Sequence, residues 1–451
     1  MKHLLIKRVA LVSALMSAAS AYATNGYFLP GFGAYSMGMG GVGIGFGVDS
    51  ISSAANPANL SKTGMRGDLD ILAFNPVRSA HVYNAPPAIS PKPGNFGTGL
   101  GEVDSNRELF PMPNMGFSMP LTPDLFAGVA FVANGGMNTT FKRNFFAQNS
   151  NTVPPGGFFS DPDYRSTIGV DLAQLLIPVS IAYKPVEKHT FGASVQMAVQ
   201  RFAAKGLGAF GAFGISSDEN NLTDRGYDWS YGAGVRLGWQ GDFLDDKLTL
   251  GATWASKTYM TKFSKYRGLF AEHGDFDIPS NFGVGMALHP TKDLTLALDI
   301  ERILFKAVKS VGNRGPDLNS IPAFLYAQNM LGEDAGMGFG WKDMTVYKLG
   351  VNYLVTQALT VRAGYNYGRS PIPNDQLTFN TLAPAVVEKH YSLGFTYKVD
   401  DNLRLTGIFM HVPENTQHTC GLALVDCVTI KMHQNVVGIS FGWVLDPGKY
   451  D

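Results

Sequence analysis

The sequence has little charge, no excess of either sign and almost no cysteine. Charged residues make up 16% of its 451 residues, and 36 lysines and arginines balance 36 aspartates and glutamates. This balance argues against a nucleic-acid partner. Two cysteines are too few for a disulfide scaffold or a thiolate metal cage. Beyond the extreme N-terminus no apolar run reaches 18 residues, which excludes a helical membrane protein but not a barrel whose apolar residues alternate.

Residues 1–23 have the parts of a secretory signal peptide in order. A positively charged start precedes an apolar stretch over residues 9–19, and Ala21-Tyr22-Ala23 supplies a small-x-small cleavage site. A buried N-terminal helix is the alternative. Export implies an oxidising compartment in which Cys420 and Cys427 could form a disulfide, although spacing alone does not prove the bond.

Apolar and polar residues alternate with a period of two along much of the chain. From residue 227 to residue 239 every odd position is apolar or aromatic, and every even position is polar or glycine. Taken alone, this segment fits a soluble sandwich strand as well as a transmembrane strand. The number of such segments favours transmembrane strands. Fourteen occur, and bacterial outer-membrane barrels have an even number of strands. The other thirteen are centred on residues 69–77, 115–121, 125–133, 175–183, 191–199, 248–254, 282–288, 294–300, 347–355, 359–367, 391–399, 403–409 and 437–445.

The gaps between these segments alternate between short and long. Residues 122–124 and 400–402 are short gaps, whereas residues 79–112, 134–169 and 307–344 are long. Short turns on one side and long loops on the other are typical of an outer-membrane barrel, which closes on itself and leaves no edge strand. The predicted fold is all-β, a 14-stranded antiparallel transmembrane β-barrel in the outer membrane of a Gram-negative bacterium.

The last strand contains Gly438-x-x-Phe441-x-Trp443, a pattern similar to the C-terminal signal read by barrel-assembly machinery. The match ends eight residues before the last residue of the sequence. We therefore expect that machinery and outer-membrane lipids as partners of a monomeric barrel.

About 44 residues between the signal peptide and the first strand do not alternate cleanly. This segment and later stretches contain several short motifs: Thr24-Asn25-Gly26-Tyr27-Phe28, Gly38-Met39-Gly40-Gly41, Asp49-Ser50, Ala55-Asn56-Pro57-Ala58, Pro113-Asn114-Met115 and Ser370-Pro371-Ile372-Pro373. In these motifs the chain resembles the FadL/TodX type of outer-membrane transporters for long-chain fatty acids and aromatic hydrocarbons. The resemblance implies that residues 24–66 form a helical hatch in the lumen of a barrel built from residues 67–451.

The local chemistry of this N-terminal segment agrees with short helices. Asp49 and Ser50 suit N-caps for a helix over residues 51–55. The hatch motif Asn56-Pro57-Ala58 sets a turn with proline at a helix start.

Apolar side chains are abundant in loops that should face water. Such patches mark ligand or lipid contacts, unless the loops merely cap and pack on each other, and the sequence leaves both alternatives open. The resemblance implies that these loops form a first docking groove for a hydrophobic substrate. One loop contains Phe202, Leu207, Phe210 and Phe213, and another contains Phe263, Leu269 and Phe270.

Two further sites are expected along the path of a hydrophobic substrate. Phe28, Leu29 and Phe32 are predicted to contribute to an internal apolar ligand pocket, with packing against the wall as the alternative. At Asn134-Gly135-Gly136 the alternation of the third strand breaks, and the glycine pair favours a bulge or kink. The resemblance implies that a kink in the third strand opens the wall sideways there.

Motifs for cofactor, metal or catalytic chemistry are weak. Residues 38–43 match a dinucleotide fingerprint but lack a βαβ unit, and residues 438–442 match a nucleophile elbow in mid-strand with no later histidine. His411, His418 and His433 could meet in the last loop but lack metal-ligand spacing. We expect no enzyme, no cofactor and no metal.

The predicted function is passive transport of hydrophobic molecules by docking in extracellular loops, transfer to a lumenal pocket and lateral release. A general porin for small polar solutes and an outer-membrane lipid hydrolase are the alternatives. A porin should have an open lumen with charged rings, whereas the inward positions here are mainly Gly, Ser, Ala and Gln. The sequence does not distinguish fatty acids from aromatic hydrocarbons.

Overall fold

A computed structural model describes residues 25–83, 101–144, 146, 167–212, 214–316, 329–421 and 427–446. The predicted signal peptide lies outside these residues and stays a prediction. Fourteen long antiparallel strands dominate the described part of the chain. They are β1 (Arg66–Tyr83), β2 (Phe110–Thr122), β3 (Leu125–Asn138), β4 (Gly169–Val186), β5 (His189–Lys205), β6 (Asp228–Phe243), β7 (Leu248–Ala255), β8 (Asn281–Leu288), β9 (Leu294–Ile303), β10 (Met344–Thr356), β11 (Leu359–Gly368), β12 (Lys389–Lys398), β13 (Leu403–Cys420) and β14 (Cys427–Val444).

The strands form one closed antiparallel sheet. Each pairs with the next along the chain, and β14 returns to pair with β1 from Arg66–Val444 to Tyr83–Cys427. Two short strands, Glu102–Asp104 and Tyr259–Met260, add to β1 and β6. The predicted 14-stranded barrel is therefore confirmed, with every predicted segment in a strand of its own. Closure leaves no edge strand in the lipid.

Several strands run past their predicted ends on the side of the long loops. β13 and β14 each have 18 residues and stay paired up to Cys420 and Cys427. The period-two pattern does not predict these extensions, because the parts of strands that lie beyond the lipid do not need an apolar outer face.

The two faces of the wall differ in polarity as the alternation predicts. On β4 and β5, Val179, Ile181 and Val195 are exposed on the outer face, whereas Ser180 and Ser194 are buried on the inner face. The inner pair shares a hydrogen bond of 2.7 Å between its hydroxyl oxygens. No helix in the described ranges is long and apolar enough to span a bilayer.

The helices of the described residues are all short. Three precede β1 and the others lie in the connections between strands. The α-helices are Gly33–Met37, Gly208–Ala212, Ala271–Gly274, Lys309–Gly312 and Leu377–Asn380, and the 3-10 helices are Ser50–Ala54, Pro57–Lys62, Glu219–Asn221, Ser264–Tyr266, Phe305–Ala307 and Asn374–Gln376.

The capping residues named from the sequence start the two 3-10 helices before β1. The Asp49 carboxylate accepts a hydrogen bond from the Ser52 backbone N–H at 2.8 Å. Asn56 caps the next helix by accepting from the Ala58 N–H at 3.0 Å, and Pro57 occupies its first position. The predicted caps at Asp49 and Asn56 are confirmed, because each side chain satisfies an N–H that a helix start leaves unpaired. Ser50 is not a cap but the first residue of its helix, which spans residues 50–54 and not 51–55.

Residues 25–64, which we call the hatch, pack against the inner face of the wall on several sides. The Gly40 backbone touches β10 and β11, residues 44–45 touch β7 and β8, and residues 56–57 touch β5 and β6. Glycines of the wall permit these contacts. A Cβ on Gly364 would lie 1.9 Å from the Gly40 nitrogen. Nearly every hatch residue is buried, so the segment occupies the lumen that an open pore would require.

Asp299 on β9 is a main attachment of the hatch. Its carboxylate accepts hydrogen bonds from the backbone N–H groups of Gly43, Ile44 and Gly45 at 2.7, 2.9 and 3.4 Å. Each buried donor that loses its acceptor costs about 1–3 kcal/mol. We expect Asp299→Ala to loosen the hatch and to raise single-channel conductance in planar bilayers.

Asp293→Ala is the matched control, because Asp293 is exposed in the turn before the same strand. It should leave conductance at the wild-type value. Equal conductance of Asp299→Ala and wild type would contradict the assigned role of this carboxylate.

Candidate functional site

An internal cleft lies between the hatch and the wall, and Phe28, Leu29 and Phe32 all line it. The structure therefore brings together the three hatch residues named from the sequence, although their binding of a ligand stays a prediction. Phe28 and Leu29 are buried and Phe32 is half-buried. Further apolar residues line the same cleft: Ile44, Leu176, Ile278 and Ile303.

Aromatic side chains fix the start of the hatch beside this cleft. The Phe28 ring centroid lies 5.2 Å from that of Tyr27 and 5.6 Å from that of Phe305. Tyr27 also lies 5.7 Å from Trp341. Such edge-on and tilted ring pairs are favourable and restrict side-chain motion, so Phe28 has both a packing role and a place in the cleft wall.

The lining of the cleft also contains polar and charged side chains. Lys348 on β10 forms an ion pair of 2.8 Å with Glu301 on β9. Arg236 on β6 donates to the Ala55 carbonyl at 3.1 Å and to the Asn281 side chain at 3.2 Å. The cleft thus combines apolar side chains with buried charged side chains of the wall.

These charged side chains correct the expected inventory of the inner face. Gly, Ser, Ala and Gln are common there, but Arg236, Asp299, Lys348 and Arg362 also point inward and are buried. The alternation in the sequence already indicated that these charged residues point inward. Asp299, for example, lies on the same face of β9 as the inward residue Ala297. Most of these charges bind the hatch or each other and do not line an open pore.

The wall has a window between β2 and β3. Their backbone pairing ends at Met115–Phe131, although β2 begins at Phe110 and β3 continues to Asn138. At the extracellular end of the gap, an isolated bridge between Ser105 and Phe141 joins the two segments again. At its periplasmic end, the Ala133 N–H donates to the Asn114 side chain at 2.9 Å. The gap is therefore bounded at both ends.

Asn134, Gly135 and Gly136 form one edge of this window. The pairing of β3 with β4 shifts register between Ala133 and Gly135, which is the bulge that the glycine pair predicts. At the bulge β3 pairs with the hatch in place of β2. Leu29 N–H donates to the Asn134 carbonyl, and Gly136 N–H donates to the Tyr27 carbonyl, both at 3.0 Å.

Glycine is required at position 135 because the hatch approaches so closely. A Cβ there would lie 1.8 Å from the Tyr27 carbonyl oxygen. Asn134 also lines the internal cleft, so the cleft reaches the window edge. The start of the hatch therefore separates the cleft from a gap in the wall.

The chain matches the family model described as outer membrane protein transport protein (OMPP1/FadL/TodX) over residues 10–419. The protein belongs to this family. Similar solved structures include the toluene transporter TodX of Pseudomonas putida, with 19% identity, TM-score 0.66 and coverage of 92% of this chain and 99% of that one. A FadL homologue of Pseudomonas aeruginosa has 15% identity, TM-score 0.67 and coverage of 93% and 100%. Comparison with curated protein sequences gives no match.

Family membership places this FadL/TodX-type barrel in the outer membrane, as expected from the sequence. The toluene transporter TbuX of Ralstonia pickettii is a further similar structure, with 17% identity, TM-score 0.61 and coverage of 92% of this chain and 98% of that one. At these identities the structural similarity shows the barrel fold alone.

The apolar residues predicted to lie in the extracellular loops are buried in this FadL/TodX-family barrel wherever the structure describes them. Phe202 corrects the prediction, because it lies near the end of β5 and not in a loop. Phe202 lies 4.7 Å from Phe270 and 5.7 Å from Phe263, measured between ring centroids. Leu207, Phe210 and Leu269 belong to the same apolar core, and Phe213 lies outside the described residues. The loops thus pack on each other, which was one of the two alternatives. A docking role would require them to separate and stays a prediction.

The extracellular ends of β13 and β14 hold the two cysteines. The histidines predicted to lie in the last loop lie on these strands instead, His411 and His418 on β13 and His433 on β14, and they do not form one cluster among the described residues. Cys420 and Cys427 are joined by a disulfide between the paired strand ends. His418 lies beside them, with Nε2 3.4 Å from the Cys420 sulfur, whereas His433 faces Glu414 at 3.9 Å. The nucleophile-elbow pattern at residues 438–442 lies within β14.

Phe32 provides the sharpest test of the internal cleft. It is half-buried and lines the cleft, so replacement by serine should remove apolar contact surface without unpacking the hatch. We expect Phe32→Ser to weaken binding of a fluorescent fatty acid about tenfold, since burying a phenylalanine side chain contributes about 1.5–3 kcal/mol.

Phe46→Ser is the matched control, because Phe46 is also a half-buried phenylalanine of the hatch but is not among the residues lining this cleft. Both variants should keep the heat-resistant mobility of the folded barrel on gels. Equal losses of affinity in the two variants would show that the ligand binds elsewhere.

Proposed function

We propose that this protein transports hydrophobic molecules passively across the outer membrane, with long-chain fatty acids and aromatic hydrocarbons as the candidate substrates. The observation that carries the proposal is the internal cleft that reaches an unpaired window in the wall. The described similar structures support the substrate class, since their names refer to toluene transporters and a FadL homologue.

The proposed path starts in the extracellular loops. Their aromatic cluster around Phe202, Phe263 and Phe270 is large and apolar, so separation of the loops would present a docking surface for a hydrophobic molecule. From there the substrate passes to the cleft beside Phe28 and Phe32. An amphipathic acid complements both the apolar and the charged residues of that lining, whereas a hydrocarbon complements only the apolar ones.

The proposed exit is lateral, through the window between β2 and β3. Ile71 on β1 is paired with Pro113 of β2 and is exposed on the outer face, so the window lies level with lipid-facing residues. Release of a long chain into periplasmic water would expose about sixteen methylenes at roughly 0.8 kcal/mol each, a cost of about 13 kcal/mol. Direct release into the bilayer avoids this cost.

The general porin is less well supported than hydrophobic transport. A porin needs a continuous water-filled lumen. Here the hatch occupies the lumen, and Asp299 and Arg236 bond to its backbone. A lipid hydrolase has only the weak motif at residues 438–442 in its favour, and Ser440 in that motif is a wall residue paired with Asp70.

Uptake by cells that express the protein tests the proposed function. We expect oleate or toluene to enter faster than in cells with the empty vector, and a small sugar to enter at the vector rate. The reason is that the cleft offers an apolar surface but no open aqueous path. Faster uptake of the sugar alone would favour the porin and contradict the proposal.

A reversible lock on the hatch tests lateral exit. Leu29 and Asn134 are register partners, because Leu29 N–H donates to the Asn134 carbonyl beside the Phe28–Gly135 bridge. Partners in antiparallel pairing have Cα atoms about 4.5–5.5 Å apart, within disulfide range. We expect oxidised Leu29→Cys/Asn134→Cys protein to lose most oleate uptake, and a reducing agent to restore it.

Wild-type protein treated with the same reductant is the control, since reduction also opens the Cys420–Cys427 disulfide. Toluene uptake should depend less on the lock, because a small ring has a much smaller cost in water. Oleate uptake that is unchanged while the engineered disulfide is fully formed would rule out exit past Leu29 and Asn134.

A further inference from the structure

A second cleft lies at the periplasmic end of the lumen, on the side of the short turns. The hatch contributes Tyr35, Val48 and Asp49 to it, and the ends of the strands contribute the rest. None of its residues belongs to the internal cleft described above. The charged strand and turn residues that line it are Arg66, Asp68, Arg362, Lys398 and Arg404.

Cationic side chains outnumber acidic ones in this periplasmic cleft. Arg66 pairs with Asp68 at 2.6 Å, and Lys398 pairs with Asp401 in the adjacent turn at 2.8 Å. Arg362 makes no ion pair with any described residue. The lining therefore carries positive charge that its own carboxylates do not balance.

Arg362 is the most buried of these cations, with 3% of its surface exposed. Its Nε donates to the Asn352 side chain at 3.3 Å, and its Nη2 donates to the Thr396 hydroxyl at 2.8 Å. The guanidinium carbon lies 3.5 Å from the centre of the Tyr35 ring. Nη1 has no hydrogen-bond partner among the described residues. A buried guanidinium with an unused donor and no counterion is costly unless an anion joins it.

Asp49 is the other acidic side chain of the lining. Burial, reinforced by the neighbouring Asp68 and Asp70 carboxylates, raises the pKa of Asp49 and so disfavours its charged form.

We propose that the periplasmic cleft binds the carboxylate of a small organic acid, with Arg362 as the principal contact. The planar guanidinium matches a carboxylate with paired N–H donors. Thr360 and Thr406 add hydroxyl donors, whereas Val48 and Leu354 offer apolar surface for the carbon skeleton of the acid. This combination fits an aromatic or aliphatic monocarboxylate better than an inorganic anion, which has no apolar part.

Isothermal titration of the purified full-length barrel in uncharged detergent at pH 7 tests the site. Sodium benzoate is the probe, benzyl alcohol is its uncharged analogue, and inorganic phosphate tests for general anion binding. We expect saturable binding of benzoate, with benzyl alcohol and phosphate at least tenfold weaker. Arg362→Gln should weaken benzoate binding at least tenfold, and Arg362→Lys should have a smaller effect because it keeps the charge.

Arg302→Gln is the matched control, because Arg302 is a cation at the opposite, extracellular end of the wall. It should bind benzoate like the wild type. Unchanged conductance in planar bilayers would show that the Arg362 variants keep the hatch in place. Benzoate binding that is absent, that is equal in wild type and Arg362→Gln, or that is matched by phosphate would overturn the proposal.

Discussion

The structure depends on one constraint, the need of the hatch backbone for hydrogen-bond partners inside a closed wall. Buried N–H and C=O groups that find no partner are costly, and the short helices of the hatch pair only part of its backbone with itself. The wall supplies the partners from its inner face. Asp299 accepts from three hatch N–H groups, and Asp70 accepts from the Ala34 N–H at 2.7 Å. The polar inner face thus has a structural purpose that a water-filled pore would not require.

The same constraint explains the window in the wall. β3 leaves β2 after Phe131 and turns its free backbone groups to residues 27–29 of the hatch. The hatch therefore takes the place of a paired strand along this part of β3. Any movement of residues 27–29 changes both the internal cleft and the edge of the window. The proposed transfer through the wall would be coupled to the hatch for this geometric reason.

The sequence predicted the wall well because its pattern reports one local property, the face on which each residue lies. All fourteen strands and the caps at Asp49 and Asn56 follow from local rules. The path of the hatch does not follow from local rules. Alternation shows which residues point into the lumen but not which strands and hatch residues contact one another there.

Some signals of the site were nevertheless present in the sequence. Pro111 and Pro113 lack the N–H of a paired strand, and proline is confined to edges and bulges, so they indicate the unpaired side of β2. Glycines at inward positions, such as Gly135 and Gly364, indicate close approach of another backbone without naming it. The pairing of Arg362 with Tyr35 joins residues more than 300 positions apart and had no local signal.

The hatch separates two clefts that differ in charge, and this difference bears on the direction of the proposed transport. The internal cleft offers Phe28 and Phe32 beside the window, and its charges are paired or bound to the hatch, whereas the periplasmic cleft offers Arg362 and other cations. A hydrocarbon chain that entered the periplasmic cleft would displace water from charged groups without replacing their hydrogen bonds, which is unfavourable. The proposed lateral exit avoids this cost, because it leads from the internal cleft into the lipid.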